Sequence, residues 1–126
     1  MKVYKGKERQ VLDYLNDILE SISDIKEFVA GIDYESFLRD KKTSKAVIRS
    51  LEIIGEAAKN IPEPLRNSQK EIPWQEIMGM RNKLAHEYFG VDLDIVWQSI
   101  REDVNPLEAA VMEILLAVNQ VADCKL

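Results

Sequence analysis

The chain of 126 residues contains only one cysteine, one histidine, five glycines and four prolines. A single cysteine, Cys124, cannot form a disulfide within the chain or a cysteine-based zinc site. One histidine cannot complete a two-histidine zinc helix, so metal-dependent hydrolysis would have to depend on carboxylates alone. The sequence therefore gives no reason to expect a metal ion or another cofactor.

Long apolar runs are also lacking, since none approaches the ~20 residues that a membrane-spanning helix needs. The polar start, MKVYKGKERQ, has no apolar centre of the kind found in export signals. We therefore expect a soluble cytoplasmic protein without a membrane partner. By its length, the chain is expected to form a single domain over residues 1–126, with residues 1–7 as a flexible tail.

Positive charge is in deficit, because 17 basic residues stand against 22 acidic ones and the net charge is -5. This balance argues against a protein that coats nucleic acid in general, so any nucleic-acid contact must be local. The basic residues cluster in RDKKTSK at 39–45, at Arg49, and at Arg81 with Lys83. On charge alone, a solvated helix end is the preferred interpretation of each cluster.

The apolar residues that are present recur in alternating steps of four and three from Val11 to Val29. This spacing predicts a helix that is packed along one face, and Gly31 is well placed to end it. Asp33 then suits the N-cap of a short helix with the sequence YESFLRD.

A third helix is expected at about residues 44–60, with Thr43 or Ser44 as its cap. Gly55 lies within it, where a glycine costs ~1 kcal/mol relative to alanine and is best explained by the close approach of a neighbouring helix. The following segment, NIPEPLRNSQKEIP, is rich in proline and is typical of a connector, with one short turn after Pro64.

The fourth helix should begin with Pro73 in its first turn and end near Gly90. Asp92 is the expected cap of the last helix, whose long apolar stripe is interrupted by Pro106 and should be kinked there. No segment alternates with period two. The sequence therefore predicts an all-α fold: an antiparallel up-and-down bundle of four main helices plus a short helix, with a kinked last helix.

The fourth helix carries the stretch MRNKLAHEYFG at 80–90. On an ideal helix, Arg81 falls within the apolar stripe, next to Ile77. A buried guanidinium is costly unless it is paired or faces a water-filled cleft. Arg81 therefore either forms an internal ion pair, with an acid such as Glu52 or Glu56, or belongs to an anion site.

His86, the only histidine, falls about 140° around the helix from Arg81. Asn82 and Lys83 are its neighbours by one turn, whereas Tyr88 shares the face of Arg81. In isolation, His86 would be interpreted as a surface residue and Tyr88 as a core aromatic whose hydroxyl reaches solvent.

The string RNKLAHEY, an arginine followed after four residues by histidine and after one more by tyrosine, resembles the signature of the HEPN superfamily. The resemblance is strongest to the HepT-like toxins of the HepT/MntA toxin–antitoxin type. Flanking segments IRSLEIIGEAAKNIP and YFGVDLDIVWQSIRED also resemble that family, in the same order, so that the similarity covers roughly residues 8–115. One departure is DVNPLEA, where relatives tend to carry an Asp-Leu-Pro turn.

The resemblance implies a dimeric helical bundle that acts as a metal-independent endoribonuclease, the toxin of a type VII-like module. It implies RNA as substrate and, as partner, a nucleotidyltransferase antitoxin similar to MntA, which silences the toxin by AMPylation. By position, Arg81 and His86 match the catalytic pair and Tyr88 the modified tyrosine. Asn82 matches a position that often assists, and Lys83 is grouped with it as a supporting residue.

Two alternatives remain open at the level of sequence. The chain could be a non-catalytic helical subunit that docks onto a minimal nucleotidyltransferase and helps to position its substrate. It could also be a plain dimeric bundle in which Arg81 forms a salt bridge. A scaffold would not need the complete set of Arg81, His86 and Tyr88, so the ribonuclease is the favoured interpretation.

Overall fold

A computed structural model describes the backbone of residues 9–86 and 91–124. It describes the side chains of residues 9–80 and 91–120. The predicted tail, residues 1–7, lies outside this range. The described residues contain seven helices and no strand, which confirms the all-α prediction. In chain order the helices are α1 (Val11–Phe28), α2 (Tyr34–Arg39), α3 (Lys41–Lys59), α4 (Glu63–Asn67), α5 (Trp74–His86), α6 (Leu93–Glu102) and α7 (Val104–Cys124).

The apolar stripe of α1 faces the interior, as its spacing predicts. Past the end of α1, Gly31 has a φ of 74°, a conformation that residues with a side chain rarely adopt. Asp33 caps α2 as expected, because its carboxylate accepts a hydrogen bond of 2.8 Å from the backbone N–H of Ser36. The buried residues of α1 are Leu15, Ile18, Ser21, Ile22 and Ile25.

Helix α3 begins three residues earlier than predicted, and the cap assigned to Thr43 or Ser44 was wrong. Asp40 is the cap, since its carboxylate accepts from the Thr43 N–H at 3.1 Å and from the Thr43 hydroxyl at 2.7 Å. These two hydrogen bonds from Thr43 lower the pKa of Asp40, because they favour the charged carboxylate. The hydroxyl that was expected to cap the helix is therefore a donor to the true cap.

Helix α3 packs against both α1 and α5 and forms the centre of the bundle. Val47, Leu51, Ile54 and Ala58 are buried on its inner face, and Gly55 is buried as well.

Arg66 of α4 shows that α3 and α5 run in opposite directions. Its Nε donates to the carbonyl of Ile61 at 3.0 Å, just beyond the end of α3, and its guanidinium contacts the sulfur of Met78 at 3.2 Å. Met78 lies in the second turn of α5. The end of α3 therefore lies beside the start of α5. A short helix in the connector, where only a turn was expected, supplies the residue that joins them.

Helices α1 and α7 are antiparallel too. The ammonium of Lys26, near the end of α1, is 2.8 Å from the carboxylate of Glu108 near the start of α7. In the described part of the chain, the main helices are thus arranged up and down, as the short connections predict.

The kink predicted in the last helix is confirmed, and it divides that helix into α6 and α7 at Asp103. Pro106 explains its position, because a proline ring collides with the carbonyl four residues earlier, here that of Glu102, the last residue of α6. Pro106 is the third residue of α7, where the N–H that it lacks has no partner within a helix. The buried face continues across the break through Val96, Val104, Leu107, Val111 and Ile114.

Aromatic contacts hold α2 against α6. The ring of Trp97 lies 5.1 Å from that of Phe37 and 5.9 Å from that of Tyr34, centroid to centroid. Phe37 is fully buried, so this contact belongs to the core.

None of the helices in the described part of the chain combines the length and apolarity that crossing a bilayer requires.

Candidate functional site

Helix α5, which carries the sequence motif, is fixed at its first turn. It begins at Trp74, one residue later than predicted, and the carbonyl of Pro73 accepts the first helical hydrogen bond, from Ile77 at 3.1 Å. The Trp74 ring is buried, and its Nε1 donates to the carbonyl of Gln69 at 3.0 Å. This anchoring determines the direction in which the rest of α5 projects.

The first two turns of α5 show which of its faces is turned inward. Trp74, Ile77 and Met78 are buried. Arg81 occupies the backbone position one turn after Ile77, on the register of that inner face. The expectation that Arg81 lies within the apolar stripe is therefore consistent with the burial of the preceding turn.

Four candidate residues, Arg81, Asn82, Lys83 and His86, have their backbones in the final turns of α5, which is helical through His86. Their side chains lie outside the described part of the structure, and Tyr88 lies outside it altogether. A regular helix places Arg81 and His86 about 7.5 Å apart along the axis and about 140° apart around it.

An internal ion pair with Glu52 or Glu56 of α3 was one of the two alternatives for Arg81. The carboxylate of Glu52 accepts a hydrogen bond of 3.1 Å from the guanidinium of Arg49, and its side chain is 20% exposed. Glu56 is exposed. Because the side chain of Arg81 is not described, the predicted pairing stays a prediction.

A groove of about 610 Å³ runs between α5 and α6, beside the candidate helix. Leu51, Ile77 and Val96 form apolar parts of its wall, whereas Glu76 and Asp103 bring carboxylates to it. Such a groove could take an apolar group, but its acidic residues would repel a phosphate.

Burial raises the pKa of Asp103 above its ordinary value, and the charges of Glu102 and Glu76 raise it further. Sequence analysis did not single out Asp103 or this groove. The one signal in the sequence was the proline three residues later, which predicts a disturbance of the helix at this point.

Among the described residues, no group of three or more histidine, cysteine, aspartate or glutamate side chains is placed to hold a metal ion.

Comparison with known proteins gives consistent matches. The family model of HepT-like ribonucleases, described as "Ribonuclease HepT-like", matches residues 18–114. A protein of Thermococcus cleftensis named "Probable ribonuclease HepT" is 52% identical over 101 residues, 80% of this chain and 92% of that protein. A protein of Caldanaerobacter subterraneus subsp. tengcongensis, provisionally named an RNase, is 48% identical over 102 residues, with coverages of 81% and 91%.

A third relative, from Methanocaldococcus jannaschii and also provisionally named an RNase, is 41% identical over 111 residues, 85% of this chain and 92% of its own. No solved structure gives a significant match. The matched range of the family model includes α5 and both segments that flank it.

Replacement of Asp103 by asparagine is expected to raise the free energy of unfolding at pH 7. The pKa of Asp103 is higher in the folded than in the unfolded chain, so its ionisation weakens the fold. The gain should be small at a pH below the ordinary value of 3.8, where both states are protonated, and complete above the folded pKa. Urea unfolding at pH 3 and pH 7 measures it.

Glu71→Gln is the control, because it removes the same charge from an exposed residue of the connector. An equal change in the two variants at pH 7 would show that net charge, and not the setting of Asp103, is responsible.

Proposed function

Because the chain belongs to the HepT-like ribonuclease family, we propose that it is an endoribonuclease that cleaves RNA without a metal ion. We further propose that it is the toxin of a type VII-like toxin–antitoxin module. The family match carries the proposal, since residues 18–114 include the whole Arg-x4-His-x-Tyr string.

The residue types of the string suit this reaction. In metal-free cleavage, the ribose 2′-hydroxyl attacks the adjacent phosphorus, and the bond to the 5′-oxygen of the next nucleotide breaks. A base must take the proton of the hydroxyl, an acid must protonate the leaving oxygen, and a cation must stabilise the pentacoordinate phosphorane. With an ordinary pKa of ~6.5, the imidazole of His86 can perform either proton transfer at neutral pH. Arg81 supplies a permanent charge whose geometry matches phosphate oxygens.

One histidine in each chain is too few for separate acid and base roles, and a second copy of the chain resolves this. In a twofold dimer, two motifs would border one cleft, and Arg81 of one protomer would act beside His86 of its partner. The register of α5 supports this arrangement, because the two positions diverge by about 140° on a single helix. Asn82 and Lys83, one turn from His86, would assist at the same cleft.

Control of the toxin is proposed to act through Tyr88. A nucleotidyltransferase antitoxin would transfer AMP from ATP to the phenol oxygen, with release of pyrophosphate. The added phosphate would introduce negative charge and bulk on the helix face that Tyr88 is expected to share with Arg81. Pairing between that phosphate and the guanidinium would then compete with RNA for the same cation.

Replacement of His86 by alanine is expected to reduce RNA cleavage by at least ~100-fold, the typical contribution of one proton-transfer group. Cleavage of a labelled RNA is measured in excess chelator. Gln75→Ala, an exposed change on the same helix, is the control and should retain activity. Equal cleavage by all three proteins, or none by the natural chain, would instead favour the helical docking subunit of a nucleotidyltransferase.

A shared active site predicts complementation between two inactive variants. Arg81→Ala and His86→Ala chains carrying different tags are co-expressed, and the mixed dimer is purified through both tags. It should keep reduced but measurable activity, since the cleft still holds one pair in which Arg81 of one protomer lies beside His86 of its partner, but only one of its two histidines.

The reciprocal pair is the control, with the natural chain joined to an Arg81→Ala/His86→Ala chain. The remaining Arg81 and His86 of that dimer belong to the same protomer, so the cleft holds no pair across the twofold axis and the dimer should be inactive. The opposite pattern, activity only in the control dimer, would place the complete site within one chain, and an active monomer would contradict the dimeric site altogether.

Modification of Tyr88 is tested by intact mass. The chain co-expressed with a neighbouring nucleotidyltransferase gene should gain one or more adenylyl units and lose cleavage activity. Tyr88→Phe should show no such gain at this position, because it lacks the acceptor oxygen. An unchanged mass of the natural chain, or an identical gain in the Tyr88→Phe variant, would exclude this form of control.

A further inference from the structure

A basic surface lies at the start of α3. Residues 39–49 contain five basic residues and one acidic residue, a local charge of +4 in a chain whose net charge is -5. All five basic residues are exposed, and they are called here the α3 basic ridge. The ridge consists of Arg39, Lys41, Lys42, Lys45 and Arg49.

The ridge begins with Arg39 at the end of α2 and continues along the outer face of α3. Lys41, Lys45 and Arg49 are spaced by four residues and so follow one another at intervals of about 6 Å along the helix. Val47 and Leu51 point the other way, into the core. Acidic residues of the same helix, Glu52 and Glu56, come only in its second half.

The charges of the ridge are available to a ligand. Within the described part of the chain, Lys41, Lys42 and Lys45 make no ion pair. Arg39 and Arg49 each pair with an acid of the same helix, at 3.5 Å and 3.1 Å, but their side chains are 78% and 71% exposed. Exposed pairs of this kind contribute little and are readily exchanged for another anion.

Two of these lysines lie where the helix dipole is unfavourable to a cation. Lys41 and Lys42 are the first two residues of α3, whose first turn contains no acidic residue. The start of a helix carries a partial positive charge, so cations there are unfavourable and acids are preferred. A departure from the locally stable choice is a common mark of a functional position.

The packing of the bundle brings the ridge to the motif end of α5. Leu51 lines the same groove as Ile77 and Met80, and α3 and α5 are antiparallel. Lys45 lies six residues before Leu51 on α3, and His86 lies six residues after Met80 on α5. Because the two helices are antiparallel, both steps lead about 9 Å toward the same end of the bundle. Neighbouring helix axes are typically about 8–10 Å apart. The ridge and the final turn of α5 therefore lie toward the same end of the bundle, opposite to the end where Arg66 joins the two helices.

We infer that the α3 basic ridge binds the phosphates of the RNA substrate and leads the strand to the motif end of α5. This inference rests on the proposed ribonuclease function for its choice of ligand. The lysines act as point charges on the phosphodiester backbone, so the ridge contributes affinity without base preference. Successive positive side chains along one helix face suit a single strand that lies along α3.

Binding of a non-cleavable strand separates this inference from catalysis. The probe is a fluorescent single-stranded 2′-O-methyl RNA of roughly 12 nucleotides, and its anisotropy is recorded over a range of salt concentrations. In Lys42→Gln/Lys45→Gln, we expect affinity to fall roughly fivefold. The slope of log affinity against log salt should become shallower by about 1.4, or about 0.7 for each phosphate that the variant no longer neutralises.

Lys59→Gln/Lys70→Gln is the matched control, because it removes two exposed lysines that lie at the end of α3 and in the connector beyond it. Its charge is identical to that of the ridge variant, and its affinity should stay closer to that of the natural chain. Thermal unfolding adds a second readout, since the ridge variant should melt no lower than the natural chain and so cannot lose affinity through misfolding.

Equal weakening in the two double variants would overturn the inference, as would unchanged binding in the ridge variant or no binding by the natural chain. Ridge-dependent binding of vesicles containing phosphatidylserine, without binding of the RNA, would also overturn it. Cleavage by the natural chain together with ridge-independent binding would leave the proposed function intact. Ridge-dependent binding without any cleavage would leave the inference standing and remove the proposed function.

Discussion

The antiparallel packing of α3 against α5 is the constraint on which the rest of the molecule depends. Helix α5 has an anchored first turn and projects its motif away from that anchor, so its far end is positioned only by what lies alongside it. The inner face of α3 supplies this support through Leu51, which shares a groove with Ile77 and Met80. Arg66 fixes the two helix ends at the opposite side through Ile61 and Met78. A change in this packing would turn the motif and the basic ridge relative to each other.

Much of the fold could be predicted because its main determinants are local. Apolar spacing identified the inner faces of the helices, and Asp33 was recognised as a cap from its position alone. The cap of α3 was missed because Asp40, Thr43 and Ser44 are all chemically able to cap, and only the three-dimensional arrangement shows which side chain accepts and which donates. The proline rule located the disturbance at Pro106, but whether the helix bends or breaks depends on how both halves pack.

The candidate site, like the fold, could be predicted from the sequence only in part. Its residue types and their register on α5 follow from one short string, so they were accessible from sequence. The acids of the groove come from α5 and from the junction after α6, whereas the ridge lies at the start of α3. The position of each relative to the motif depends on long-range packing, which no local pattern in the sequence reveals. The ridge illustrates this difference. By composition alone, RDKKTSK was best interpreted as a solvated helix end, and the proposed role of the ridge arises only from its position toward the same end of the bundle as the motif.

Charge is segregated across the molecule in a way that would orient a polyanion. Glu76 and Asp103 place negative charge on the groove near the start of α5, while the ridge places positive charge at its far end. A strand approaching an acidic protein is repelled over most of the surface, so a local basic patch determines where it lands more sharply than it would on a neutral protein. An acidic chain is therefore compatible with RNA as substrate, because its net charge would suppress binding elsewhere and would confine the strand to the proposed ridge. If two protomers pair at that end, twofold symmetry would place a ridge on each side of the shared cleft, and the strand could then approach the reacting phosphodiester from either direction.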